Sequence, residues 1–132
     1  MTYIPASLRA RVAARAQESC EYGLIHADYA AFKHEIDHVI AIKHEGATEE
    51  DNLAYACAQC NRFKGSNIAA LDPRKQQWPE HCQLDGPVIV PLSASGRATE
   101  RLLELNQIDR VLLRQELSAA WRYPGRSAAA AH

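Results

Sequence analysis

The sequence predicts a single α+β domain, in which a strand–loop–strand–helix unit is enclosed by an N-terminal helix, a C-terminal β-hairpin and two C-terminal helices. Three observations predict it. Apolar residues recur at helical spacing near both ends, a β-branched run is followed by a polar loop and a second apolar run, and "DG" separates two strand-like segments. The chain has 132 residues, enough for one modest core. We expect the domain to span residues 1–126, with residues 127–132 as a flexible tail.

The first predicted element is a helix from Ala6 to Glu18. Leu8, Val12 and Ala16 recur there at helical spacing, and Pro5 just ahead suits a helix start. The next elements lie closer together. A strand is predicted over residues 35–40, a polar loop with a glycine turn follows, "LAYAC" gives a second strand, and "AQCNRFKGSNIAA" gives a helix of two to three turns.

The C-terminal part of the chain predicts a hairpin over "HCQLDGPVIVPL" and then two amphipathic helices, "GRATERLLEL" and "QIDRVLLRQELSAAW". Asn106 separates the helices and is expected to cap the second. The apolar residues expected on the two core-facing sides are Ala98, Leu102 and Leu105, then Ile108, Val111, Leu112, Leu117 and Trp121. The Leu-rich face of the second helix could be core or a dimer seam, and we expect core in a monomeric protein.

The composition of the chain argues against several classes of protein. Hydrophobic residues make up 47% and charged residues 23%, with a net charge of −1, so disorder is not expected. No apolar run approaches the roughly 20 residues that cross a bilayer, so no membrane partner is expected. The N-terminus has arginines where a signal peptide has its apolar segment, which favours the reducing cytoplasm over secretion; a mitochondrial presequence is the less favoured alternative.

Charge is unevenly distributed along the chain. Six acids and one base lie between residues 35 and 61, while arginines are frequent in the N-terminal helix and in the last third. This pattern suits a metal site beside a phosphate-binding surface, although scattered solvated charges explain it equally well.

The candidate chemistry lies on the strand–loop–strand–helix unit. Asp37 and His38 end the first strand, Asn52 precedes the second, and Asn61 lies in the first turn of the helix. A carboxylate and an amide oxygen are ligands suited to Mg²⁺, and a neutral imidazole can remove a proton from water near pH 7. Together these groups predict metal-assisted hydrolysis of a phosphodiester.

The segment "HEIDHVIAIKHEGATEEDNLAYACAQCNRFKGSNIA" closely resembles the HNH endonucleases, whose shared core is the ββα-metal fold. The resemblance covers about residues 20–68, with fourteen residues from His38 to Asn52 and nine from Asn52 to Asn61. The third signature position is asparagine, a variant the family also uses. Residues 74–106 look like the C-terminal part of small standalone bacterial members, so we expect a C-terminal extension over about 74–122.

The resemblance implies a role for each matching residue. His38 is the general base that deprotonates water, and Asn52 braces the loop that orients it. Asp37 and Asn61 hold one divalent cation, Mg²⁺ or Mn²⁺, and cleavage leaves a 5′-phosphate and a 3′-hydroxyl.

Three further residues are candidates for contacts with nucleic acid. Arg62 and Lys64 flank Asn61 near the start of the helix, where a phosphate contact is plausible on charge. His44, in the polar loop, is a candidate for a substrate or metal role and is otherwise a loop histidine.

Many relatives carry a second C-x-x-C pair that completes a structural zinc site with the pair at the helix start. Three of the four positions match here: Cys20, Cys57 and Cys60. Gly23 occupies the fourth. Zinc could bind through three thiolates plus water or a replacement such as His26 or Cys82, it could bind weakly, or packing could replace it.

The function expected from these observations is a metal-dependent DNA endonuclease with little sequence preference, since no recognisable reader motif is present. The first alternative is a nucleic-acid-binding module that uses the same fold without cutting. The second is a C-x-x-C redox or metal-carrier protein, which would require a thioredoxin-like context that the sequence does not show.

Overall fold

A computed structural model describes residues 3–65 and 78–125 of the chain. The helices are α1 Ala6–Arg15, α2 Ala58–Lys64, α3 Trp78–His81, α4 Ala94–Leu103 and α5 Ile108–Ala119, and the strands are β1 Glu35–His38, β2 Leu53–Ala56, β3 Cys82–Asp85 and β4 Val88–Pro91. The predicted α+β class is confirmed. The predicted tail and the last residues of the predicted HNH core lie outside the described residues.

The centre of the molecule is the antiparallel pair β1–β2, in which Asp37 lies opposite Ala54 and His38 lies opposite Leu53. Alternation along β1 gives this ribbon two faces. The face that carries Ile36 packs against Leu8 and Val12 of α1. The opposite face is covered by α2, so the ribbon is held between two helices.

The second hairpin, β3–β4, forms where the sequence predicts it. Its turn includes Gly86, which has a φ of +59°, a conformation that favours glycine. Helix α4 then runs closely past the end of α3: a Cβ at Gly96 would lie 2.1 Å from the carbonyl oxygen of His81. Only glycine allows this approach, which joins the hairpin to the rest of the core.

The main core includes buried side chains from both described parts of the chain. Its large members include Tyr22, Leu24, Trp78, Ile89, Leu103 and Leu105. The residues that flank the candidate site are therefore packed against the C-terminal helices. In the described residues, no helix combines the length and apolar character needed to cross a membrane.

The structure corrects two predictions about α5. Part of its expected core face is turned outward: Ile108 is 65% exposed and Leu112 50%, and Trp121, beyond the end of the helix, is 95% exposed. Leu117 does pack against the main core, as expected. The buried residues of this helix are Arg110 and Arg114, because each finds acceptors inside the molecule.

Asn106 does not cap α5, so that prediction is also wrong. Its side chain instead accepts a hydrogen bond from the Ile89 backbone N–H at 2.9 Å and donates one to the Ile89 carbonyl at 2.7 Å. Arg114 adds hydrogen bonds to the Pro87 carbonyl at 2.7 Å and to Asn106 Oδ1 at 3.1 Å. These two polar side chains fasten the β3–β4 hairpin to the helices.

Candidate functional site

The loop between β1 and β2 is closed by the side chain of Asn52, which is buried. Its Oδ1 accepts a hydrogen bond from the Ile40 N–H at 2.9 Å, and its Nδ2 donates to the carbonyls of Ile40 at 2.9 Å and Ala47 at 2.8 Å. A Cβ at Gly46 would lie 1.7 Å from the Ile40 carbonyl oxygen, so the closed loop requires glycine there. Asn52 therefore fixes the loop shape, while its part in orienting His38 stays a prediction.

The ring of His38 lies half-buried at the end of β1 and contacts this loop. Its Nε2 makes a hydrogen bond with Thr48 Oγ1 at 2.9 Å. Sequence reasoning did not single out Thr48; its position in the loop braced by Asn52 was the available signal. The loop thus contributes a hydroxyl that holds the ring of the predicted base.

On the opposite face of the ribbon, Asp37 contacts Lys64 of α2. Asp37 is 7% exposed and Lys64 is fully buried, with Lys64 Nζ 2.9 Å from Asp37 Oδ2. Nζ also donates to the His38 carbonyl at 2.9 Å. Burial raises the pKa of the Asp37 carboxyl above its ordinary value, and the Lys64 ammonium opposes that effect.

This placement differs from the surface position expected for Lys64. Its ammonium does not lie at the surface, where it would meet a phosphate; it neutralises a buried carboxylate. The cause is the partner: a fully buried lysine needs a nearby negative charge, and Asp37 supplies it from the neighbouring strand.

A second pair lies alongside the first. Asn61 Nδ2 donates a hydrogen bond to Glu35 Oε2. Glu35 and Asp37 are two apart on β1, and Asn61 and Lys64 are one turn apart on α2. The strand and the helix therefore bring two carboxylates, one carboxamide and one ammonium to one face.

The donors on this face fit a hard divalent cation. Carboxylate and carboxamide oxygens are the ligands that Mg²⁺ prefers. The buried Asp37 carboxylate also requires a nearby positive charge, which Lys64 provides in this structure. Sequence reasoning did not include Glu35, whose position two residues before Asp37 on the same strand face was the signal that identifies it.

Two of the residues expected to contact nucleic acid lie at the surface. Arg62 is exposed on α2, with its guanidinium 5.1 Å from the centre of the Phe63 ring. His44 is exposed in a short helical turn of the loop. Their roles stay predictions.

Three buried cysteines form a cluster beside the start of α2. The Sγ atoms of Cys20, Cys57 and Cys60 all lie within 4.8 Å of one another, a spacing that could hold a metal ion. Within residues 3–65 and 78–125, no histidine, acid or fourth cysteine joins this group. The structure therefore does not support His26 or Cys82 as the replacement ligand; His26 Nδ1 instead accepts a hydrogen bond from the Asp28 N–H.

The group that faces these sulfurs is the guanidinium of Arg110. Its Nη2 lies 3.0 Å from Cys60 Sγ and 3.6 Å from Cys57 Sγ, and its Nη1 donates to the Leu103 carbonyl at 2.8 Å. Sequence reasoning missed Arg110, because it lies 50 residues from Cys60 in a helix whose apolar residues suggested a different inward face.

The cluster and the arginine influence each other's ionisation. Hydrogen bonds from the Cys20 and Cys60 thiols, followed by the charge of Arg110, lower the pKa of Cys57. The same thiol contacts raise the pKa of Cys60, and burial raises that of Cys20. Burial alone would lower the pKa of Arg110, but Cys60 and Cys57 outweigh it and raise that pKa. One negative charge on the sulfurs thus faces one buried cation.

The β1–β2 ribbon with α2 packed across it forms a ββα unit, with candidate metal donors on the shared face. Residues 20–67 match the model of a protein family described as HNH endonuclease. The predicted resemblance is confirmed for this segment, about a third of the chain; the match ends before the C-terminal extension, which stays a prediction. No curated protein and no solved structure shows a significant match to the chain.

Proposed function

We propose that this protein is a metal-dependent endonuclease that hydrolyses phosphodiester bonds in DNA, leaving a 5′-phosphate and a 3′-hydroxyl. The observation that carries the proposal is the HNH match over residues 20–67, within which Asp37, His38, Asn52 and Asn61 are all present. The braced loop and the oxygen donors facing α2 support it. Together they supply the two requirements of such hydrolysis, a base and a site for a cation.

In the proposed reaction, His38 removes a proton from the attacking water. With Nε2 donating its hydrogen to Thr48 Oγ1, Nδ1 carries the lone pair that accepts that proton. Asn52 keeps the loop closed, so that Thr48 stays within reach of the ring. The three residues act as one unit: a base, its partner and the brace that positions the partner.

Asp37 and Asn61 are the residues that would hold Mg²⁺ or Mn²⁺. When bound, the cation would supply positive charge to the scissile phosphate and the leaving 3′ oxygen. Lys64 Nζ lies against Oδ2 in this structure and its charge opposes a cation there, so we propose that Lys64 releases the carboxylate when the cation binds. Lys64 thus compensates the charge of Asp37 until a metal ion replaces it.

Arg62 and His44 are the proposed contacts to the DNA backbone. Both are exposed, and contacts to phosphate position a duplex without reading its sequence. We therefore expect binding that weakens steeply with salt and cleavage with little sequence preference.

A second candidate function is a nucleic-acid-binding module that does not cut. The Asp37–Lys64 ion pair favours it, because the charge of a permanently paired ammonium opposes the binding of a metal ion at the same carboxylate. The two functions differ in a single observable: only the endonuclease produces metal-dependent strand breaks.

The deciding experiment incubates pure protein with supercoiled plasmid, single-stranded DNA and RNA in Mg²⁺, Mn²⁺ or EDTA. We expect nicking and linearisation of plasmid that require metal and disappear in His38→Ala. His26→Asn serves as the control, because it also replaces a partly buried histidine and can still accept the Asp28 hydrogen bond. A wild type inert on every substrate, or a fully active His38→Ala, contradicts the proposal.

A further inference from the structure

The fourth corner of the cysteine cluster is already filled. A Cβ at Gly23, the first atom of the side chain that a fourth cysteine would add, would lie 3.2 Å from Arg110 Nη2 and 4.0 Å from Cys60 Sγ. Gly23 is buried, and its N–H donates to Cys20 Sγ at 3.3 Å. The arginine head group therefore stands where the missing ligand would enter.

The chemistry of that group does not fit a zinc site. Structural zinc requires four ligands, and a protonated guanidinium has no lone pair to offer as one. Its charge also repels a divalent cation at short range. In addition, its contacts with Cys60 and Cys57 engage sulfur lone pairs that zinc would need. The three cysteines have the spacing of a metal site, but their surroundings do not complete one.

We propose that the cluster is a metal-free replacement for a zinc site, in which the Arg110 guanidinium provides both the positive charge and the fourth contact. Arg110 joins the start of α2 to the end of α4, where it binds the carbonyls of Leu103 and Glu104. Its Nη2 also lies beside Gly23, in the turn at Cys20–Gly23. A cation at the C-terminal end of a helix is favourably placed against the helix dipole.

Other residues hold the same turn from the same side of the molecule. The Tyr123 hydroxyl donates to the Gly23 carbonyl at 2.8 Å, and Trp78 Nε1 donates to the Tyr22 carbonyl at 2.9 Å. Both donors are buried and come from the C-terminal part of the chain. The C-terminal segment thus performs the fastening that a metal ion performs in a closed four-cysteine site.

The first test uses the wild-type chain and needs no nuclease activity. Protein expressed in zinc-supplemented medium is analysed for metal by mass spectrometry, and its thermal unfolding is compared in EDTA and in excess zinc. We expect far less than one zinc per chain and the same Tm in both conditions. One zinc per chain that survives EDTA dialysis, or a Tm that falls in EDTA, overturns the proposal.

The second test converts the site. Gly23→Cys combined with Arg110→Met supplies the fourth thiol and vacates the corner; a Cβ is conformationally acceptable because Gly23 does not have a positive φ. We expect this double variant to bind one zinc per chain, and we expect its Tm to rise when zinc is added. Gly23→Ser with Arg110→Met is the matched control and should do neither. A folded double variant without zinc contradicts the assignment of the corner, and if the variants do not fold, the wild-type metal content decides.

Discussion

Two buried cations lie near opposite ends of α2, and each occupies a place where the HNH resemblance implies a metal ion. Lys64 contacts the Asp37 carboxylate and one backbone carbonyl. Arg110 contacts two sulfurs and two carbonyls, with its Nη2 beside Gly23. The proposed function requires the Lys64 ammonium, which has two contacts, to give way to a metal ion, whereas the Arg110 guanidinium has four contacts and is proposed to stay in place.

The largest loss of stability is expected from Arg110→Met. The change leaves the polar sulfur cluster buried without its cation, and removing one partner from a buried charge pair costs about 3–5 kcal/mol. We expect the free energy of unfolding, measured in urea, to fall by that amount. Adding Mg²⁺ should not restore it, because the cluster has no oxygen donors.

The control for this variant is Arg62→Met, which removes an exposed arginine. We expect the free energy of unfolding of that variant to lie within about 0.5 kcal/mol of the wild-type value. Similar losses for Arg110→Met and Arg62→Met would show that the Arg110 contacts contribute nothing to the fold.

The burial of Arg110 could not be predicted from the sequence. The periodicity of α5 assigned Ile108 and Leu112 to the core, because periodicity ranks residues only by hydrophobicity. The acceptors that make arginine the buried residue are contributed by Cys57 and Cys60, far away in the sequence. When the burial of a charged side chain depends on a partner far away in the sequence, the neighbouring residues do not indicate it.

The second prediction concerns Lys64→Met, for which we expect a smaller loss. The variant leaves the Asp37 carboxylate buried without its counter-charge, and because this carboxyl can take up a proton we expect about 3 kcal/mol, the lower end of the range for breaking a buried pair. In contrast to Arg110→Met, we expect Mg²⁺ to recover part of the loss, because the vacated carboxylate can bind the ion. Unfolding in EDTA and in Mg²⁺ measures both effects, and a loss that Mg²⁺ does not change would contradict exchange at Asp37.

The pH dependence of the same variant supplies an independent check. Burial already raises the pKa of Asp37 above 3.8, and removing Lys64 removes the main opposing contribution. A carboxyl with a raised pKa binds its proton more tightly when folded, so native stability rises as pH falls through that pKa. The loss of unfolding free energy in Lys64→Met, relative to wild type, should therefore be complete at neutral pH and become smaller as the pH falls toward 3.8.

The strand–loop–strand–helix unit was more predictable than either buried cation. Its strands, turn and helix follow from local patterns, and Asp37, His38, Asn52 and Asn61 stand at fixed spacing in one short segment. The pairing of Asp37 with Lys64 was not visible, because neither residue carries a local sign of burial. Secondary structure follows from residues that are neighbours in the sequence, whereas the pairing of buried charges depends on the tertiary fold.

The smallest effect is expected from Thr48, which contacts His38, the proposed base, and lies outside the core. Thr48→Val removes the hydroxyl that holds His38 Nε2, whereas Thr48→Ser retains it. Since one such hydrogen bond contributes about 1 kcal/mol, we expect kcat for plasmid cleavage to fall roughly fivefold in Thr48→Val, with KM unchanged. Thr48→Ser should retain most of the activity, and equal rates for the two variants would show that the ring does not depend on Thr48. A selective fall in kcat would identify Thr48 as a positioning residue, and it would show that the loop closed by Asn52 serves the chemistry as well as the shape of the domain.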